Sequence, residues 1–203
     1  MAKGDDSRTE ILEAAKKLFL SKGYGSTSMR DIAKEAGDRA VAGIYNHFPG
    51  KEAVFQSLIE EHNPTREAAE TLLSVEGDTA AQFLRNLMKT MLPVVMNNYE
   101  FLELAQIDLR EFSGKNTRRL LQFSVFPHAI QVAGKLQSLP GMKPFDALVL
   151  LRLLVSVFLG YAITRQMAPD MMIERLSEDT WIDAYVSMIL GGLCEDTAKD
   201  DSQ

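Results

Sequence analysis

One cysteine, Cys194, and three histidines, His47, His62 and His128, are all that 203 residues provide of the side chains most often used as metal ligands or nucleophiles beside carboxylates. A single cysteine excludes a disulfide framework within the chain and suits a reducing, cytoplasmic setting. The histidines lie too far apart in sequence to form a metal-ligand motif, so no metal or cofactor is expected. Cys194 has no histidine near it in sequence to activate its thiol. There is no glycine-rich phosphate loop and no internal repeat, and the carboxylates fall mostly on polar helix faces. An enzyme is not expected. The opening Met1 to Asp6 is short and polar, without the charged-then-apolar form of a signal segment, and is expected to fray. The longest apolar run, Ala147 to Ile163, is short for a membrane span and contains Arg152, so no membrane partner is expected.

Hydrophobic residues make up 46% of the chain, enough for a well-buried core. The net charge of −6 is unevenly placed. Residues 1–51 hold nine Lys/Arg against seven Asp/Glu, and residues 52–203 hold 13 against 21. A slightly basic head on an acidic body fits contact with nucleic acid through one small surface.

Helical periodicity runs through the whole length. Ser7 and Glu10 match a capping box opening a first helix with Ile11, Ala15, Leu18 and Phe19 on one face, ended by Lys22-Gly23. Ser28 and Asp31 match a second capping box, with Ile32, Ala33 and Ala36 forming an apolar face behind it. Gly37 can turn left-handed at the end of that helix. A short helix through Val41 and Ile44 to Tyr45 follows, and Lys51 opens another. Two short helices joined by a glycine turn have the frame of a helix-turn-helix, whose second helix enters a DNA major groove.

Gly23-Tyr24, Thr27-Ser28, Ile32-Ala33, Ala36-Gly37, Ile44-Tyr45, His47-Phe48 and Lys51-Glu52 together resemble the signature of the TetR family of transcriptional regulators. The resemblance covers roughly the first 60 residues. It implies an all-α chain, with a three-helix helix-turn-helix DNA-binding domain at 1–52 and a helical effector-binding and dimerisation domain at 53–203. One departure stands out: seven residues separate Gly37 from Tyr45 where the family usually has six. Either the turn absorbs the extra residue, or the reading helix starts early with Asp38 as its cap. Counting back from Tyr45, Ala40, Val41 and Gly43 are candidates to face the groove. Arg39, at the helix start, is expected to be the polar reader, of guanine or else of phosphate. By resemblance and by donor chemistry, Tyr45, His47 and Lys51 are expected to hold the DNA backbone. Thr27 and Ser28 are candidates for the same, Ser28 at a helix start that favours phosphate.

Beyond the head, Asn63-Pro64 either breaks or kinks the helix after Lys51. Further helices are expected at Ala80–Asn98 with Pro93 inside it, at Tyr99–Phe112, and at Asn116–Leu139 as one element. The last two, about 144–167 and 180–193, are expected to form a homodimer through a four-helix bundle, as the resemblance implies. Methionine and phenylalanine give the body a soft lining for a small, mainly apolar effector: Met88, Met91, Phe101, Phe123, Phe126 and Met167 are candidates, with His128 and Arg152 to orient it. The expected function is a regulator, most simply a repressor, bound as a homodimer to a palindromic double-stranded operator and released by that effector. Two alternatives stand beside it: a ligand-insensitive dimeric DNA binder, and a helical scaffold or enzyme that does not bind DNA.

Overall fold

The computed structural model of the chain describes residues 3–171 and 177–193, with side chains from Ser7 to Met171 and from Ser177 to Gly192. Cys194 and the charged tail after it lie outside the described residues. No strand is delimited among those residues; the elements are helices. By contacts the chain divides into two compact units, residues 1–64 with 98–121, and residues 65–97 with 122–203.

The first unit holds α1 (Lys3–Lys22), α2 (Met29–Glu35), α3 (Val41–Tyr45), α4 (Lys51–Glu61) and α7 (Tyr99–Phe112). Its core is built from Ile11, Leu12, Ala15 and Phe19 of α1, Ile32 and Ala33 of α2, Ile44, and Val54, Phe55, Leu58 and Ile59 of α4. Phe101, Leu104 and Ile107 of α7 complete it. Its compact unit therefore runs past residue 52. α4 and the later α7 carry apolar stripes that close the same core, so contact joins what a division by sequence position separates.

The second unit holds α5 (Thr65–Leu73), α6 (Ala80–Asn97), α9 (Phe126–Gln137), α10 (Ala147–Met167) and α11 (Glu178–Leu193). Leu84, Leu87, Met88 and Leu92 of α6 sit at its centre, against Leu72, Val132, Leu136, Leu150, Leu154, Ile182 and Val186. α8 (Lys115–Ser124) carries the chain from the first unit to the second.

Several expected boundaries move. α1 is already helical at Lys3, so Ser7 is an interior residue and not a cap; its hydroxyl instead accepts from Arg39 Nη1 at 3.0 Å. Pro64 breaks the chain: α4 ends with His62 as its C-cap and α5 begins at Thr65. The single helix expected over Asn116–Leu139 is two, separated at Val125, with Pro127 in the first turn of α9, where its missing N–H costs nothing. α10 starts at Ala147, because the Asp146 carboxylate accepts from Leu148 N–H at 2.8 Å.

Candidate nucleic-acid interface

α2 begins as its sequence dictates. Ser28 Oγ accepts from Asp31 N–H at 3.1 Å, and the Asp31 carboxylate accepts from Ser28 N–H at 2.8 Å and from its hydroxyl at 2.6 Å. The Ser28 hydroxyl and amide, with Lys22 3.2 Å away, lower the Asp31 pKa from 3.8 to about 2. A carboxyl depressed by folding contributes its stability in full above the unfolded pKa. That contribution is lost as pH falls from about 4 through the folded value. Ser28→Ala is accordingly expected to move the Asp31 titration midpoint up towards the ordinary range, read by NMR of its side-chain carboxyl. A midpoint still near 2 would assign the shift to Lys22.

The turn after α2 absorbs the extra residue. Gly37 and Asp38 are both left-handed, at φ +89° and +53°. Asp38 N–H donates to Lys34 O at 3.0 Å, and Arg39 N–H closes the wider loop on Ala33 O at 2.9 Å. Aspartate tolerates this region better than most residues do. Asp38 is therefore part of the turn and not the cap of α3. The N-cap is Ala40, which has no side chain to offer. α3 is one turn and a half long, anchored by buried Ile44, with buried Phe48 just beyond it.

These anchors decide what α3 shows to solvent. Ala40, Gly43, Tyr45 and His47 are exposed, Tyr45 by 52%, while Val41 is half-buried against the core. Ala42 and Asn46, not singled out from sequence, are exposed on the same short segment. Asn46 brings an amide capable of paired donor and acceptor contacts with adenine. Its place beside Tyr45 was the available signal. Ser28 is exposed, but its hydroxyl is taken by the capping box.

Three expected DNA contacts are engaged elsewhere. Thr27 is 2% exposed and its hydroxyl donates to Gly23 O at 2.8 Å, closing the α1–α2 turn. Lys51 turns inward: Nζ donates to Tyr24 O at 2.7 Å and Thr27 O at 2.8 Å, and lies 4.2 Å from the centre of the Tyr24 ring. An ammonium with two carbonyls and a ring face is well satisfied. Arg39 donates from Nε to Ala36 O at 2.8 Å and from Nη1 to Ser7, and its Nη2 pairs with Glu10. Arg30 and Lys34, both on α2, are exposed cations on this unit. Beside the Arg39–Glu10 pair, an open groove of about 500 Å³ is lined by Glu10, Lys17, Glu35 and Gly37 among others.

The expected effector residues do not come together. Met88 and Met91 are buried on α6 in the second unit, whereas Phe101 is buried in the first. Phe123 and Met167 are 74% and 79% exposed, and Phe126 and Arg152 are also exposed. His128 Nδ1 lies 2.7 Å from Ser124 O, at the start of α9. Phe123 of α8 and Arg152 and Met167 of α10, expected to line or orient an effector, lie at the surface instead. Among the described residues no cluster suited to holding a metal ion occurs.

Residues 11–58 match the family model described as bacterial regulatory proteins, tetR family. The chain is 30% identical over 100 residues to the HTH-type transcriptional regulator YfiR of Bacillus subtilis, spanning 44% of this chain and 48% of that one. Over 92 residues it is 30% identical to the HTH-type transcriptional repressor AcnR of Corynebacterium efficiens, covering 44% of this chain and 46% of the relative. The match thus spans about half the length of these relatives. Fold similarity reaches further. The TetR family transcriptional regulator PfmR of Thermus thermophilus superposes with a TM-score of 0.64 at 24% identity, over 89% of this chain and 93% of that one. These relatives are named as regulators, not enzymes. Residues 11–58, which hold the helix-turn-helix, are thus similar to the bacterial regulatory proteins of the tetR family, and the all-helical fold of the chain is similar to that of PfmR.

Proposed function

We propose that the protein is a DNA-binding transcriptional regulator of the cytoplasm, a repressor in its simplest form. The observation that carries this is the exposed edge of α3. A helix-turn-helix held by Ile44 and Phe48 presents Ala40, Ala42, Gly43, Tyr45, Asn46 and His47 to solvent. Tyrosine and histidine supply phosphate donors, asparagine an adenine reader, and alanine and glycine a close approach with room for thymine methyls.

The protein acts as a homodimer through α10 and α11. α10 is long and apolar enough to cross a membrane by length and composition alone. Leu150, Leu154, Phe158 and Tyr161 seat it in the core of its own unit. Its outer side leaves Leu148, Leu153, Val155, Leu159 and Ile163 exposed, and α11 leaves Met188 and two glycines exposed. An apolar surface of this extent calls for a partner, and a second copy supplies the same surface related by a two-fold axis. Two reading heads then demand a palindromic operator. A small, mainly apolar effector in the second unit releases the DNA by binding one arrangement of the dimer better than the other. The support is the soft pair Met88 and Met91 at the centre of that unit.

Selection of random duplex DNA by the purified protein at near-physiological salt tests this reading. The expected result is enrichment of a two-fold symmetric site. A dimeric, folded protein that enriches no sequence would overturn it.

A further inference from the structure

Two cations flank α3 in sequence, Arg39 before it and Lys51 after it, and both are engaged by groups of the head itself. The Arg39 contacts are the more telling. Its guanidinium joins two elements: the end of α2 through Ala36 O, and α1 through Ser7 and Glu10. It does so from the last residue of a turn in which Gly37 and Asp38 are both left-handed. α3 has only five residues and an N-cap with no side-chain bond. A helix that short does not set its own position, so the turn before it must.

We propose that the Arg39–Glu10 clasp is a positioning device for DNA recognition. It fixes the widened turn, so that Ala40, Ala42 and Gly43 reach the groove in one register, and Arg39 reads no base itself. Arg39 is thus a positioning residue, and Glu10, which has no donor to offer DNA as a carboxylate, is part of the same device. The inference rests on the DNA-binding reading above and adds two residues to it.

The sign of one substitution separates the clasp from direct readout. Were Arg39 a base or phosphate reader, Glu10 would compete with DNA for it. Glu10→Gln would then free the guanidinium, remove a negative charge and tighten binding. In the clasp, Glu10→Gln loosens the turn and weakens binding. The experiment uses the full chain, with Glu10→Gln, Arg39→Gln and the double variant titrated against the selected duplex over a salt series. Each single variant is expected to lose about 10-fold in affinity, and the double little more than either, because one coupled pair is broken each time. The slope of log affinity against log salt should stay that of the wild type, since no phosphate contact is removed. Tighter binding by Glu10→Gln would overturn the proposal. So would a slope lowered by about one, or a preference relaxed at a single base pair, in Arg39→Gln.

Hydrogen exchange of the free protein reads the same clasp without DNA. Amides of the 41–45 segment should exchange faster in both single variants while those of α4 hold their protection; unchanged exchange would overturn the clasp. A wild-type protein that selects no duplex, with exchange responding as expected, would sink the DNA-binding reading and leave a clasp with no recognition to serve, which also refutes the proposal as stated.

Discussion

Phe55→Ala is expected to destabilise the first unit by about 3–5 kcal/mol, the cost of removing a fully buried aromatic and leaving its cavity. Phe55 has no exposed surface. Its ring stacks on Phe112 at 5.0 Å and meets Phe19 and Tyr24 edge-on at 6.0 and 5.6 Å. Phe112 belongs to α7 and Phe19 to α1, so one side chain joins the helix that opens the head to a helix far along the chain, Phe112 lying 93 residues beyond Phe19. Tyr24 also lies under Lys51 Nζ, which holds the α1–α2 turn. Denaturant unfolding followed by helical circular dichroism measures the loss, and a fall in DNA affinity should accompany it. Phe55→Leu, which keeps most of the volume, should lose much less. A loss under about 1 kcal/mol for the alanine variant would show that the cluster closes over the gap.

The second large effect is expected at Asp108, a carboxylate with no exposed surface. One oxygen accepts from Asn116 Nδ2 at 2.8 Å and the other from Thr117 N–H at 2.8 Å, so α7 caps the start of α8 from a distance. Its own carbonyl accepts from Gly114 N–H at 2.9 Å, closing a turn in which Ser113 and Gly114 are both left-handed. This is the same widened geometry that Gly37 and Asp38 make after α2. Asp108→Ala leaves buried donors without an acceptor, at about 1–3 kcal/mol each, and a total near 3 kcal/mol is expected. Asp108→Asn keeps one acceptor oxygen and should cost less. A near-neutral Asp108→Ala would mean that the α7–α8 corner is held by its turn alone.

Local chemistry determined a good deal. The Ser28–Asp31 capping box, the left-handed glycine after α2 and the spacing of Ile32, Ala33, Ile44 and Phe48 depend on neighbours a few residues apart. The polar turn before α10 is of the same kind. Such features can be read from sequence because backbone conformation and helix periodicity act over one or two turns. Pro127 shows the limit even there: the residue was visible, but it opens a new helix where one continuous element was expected.

Only the tertiary structure decided where the long and polar side chains go. Lys51 meets carbonyls 24 and 27 residues away, and Arg39 meets Glu10 29 residues away. The type and spacing of these residues suggested DNA, but a cation takes whichever acceptor the fold brings within reach. Thr27 is drawn in by a carbonyl that the turn leaves open. The candidate effector residues went the same way. Phe101 joins the head core, and Phe123 and Met167 face solvent, because helical periodicity names a face without naming what covers it. The reading surface survives as the residues left outside once Ile44 and Phe48 were buried, and burial is a property of the assembled helices, not of the segment that carries them.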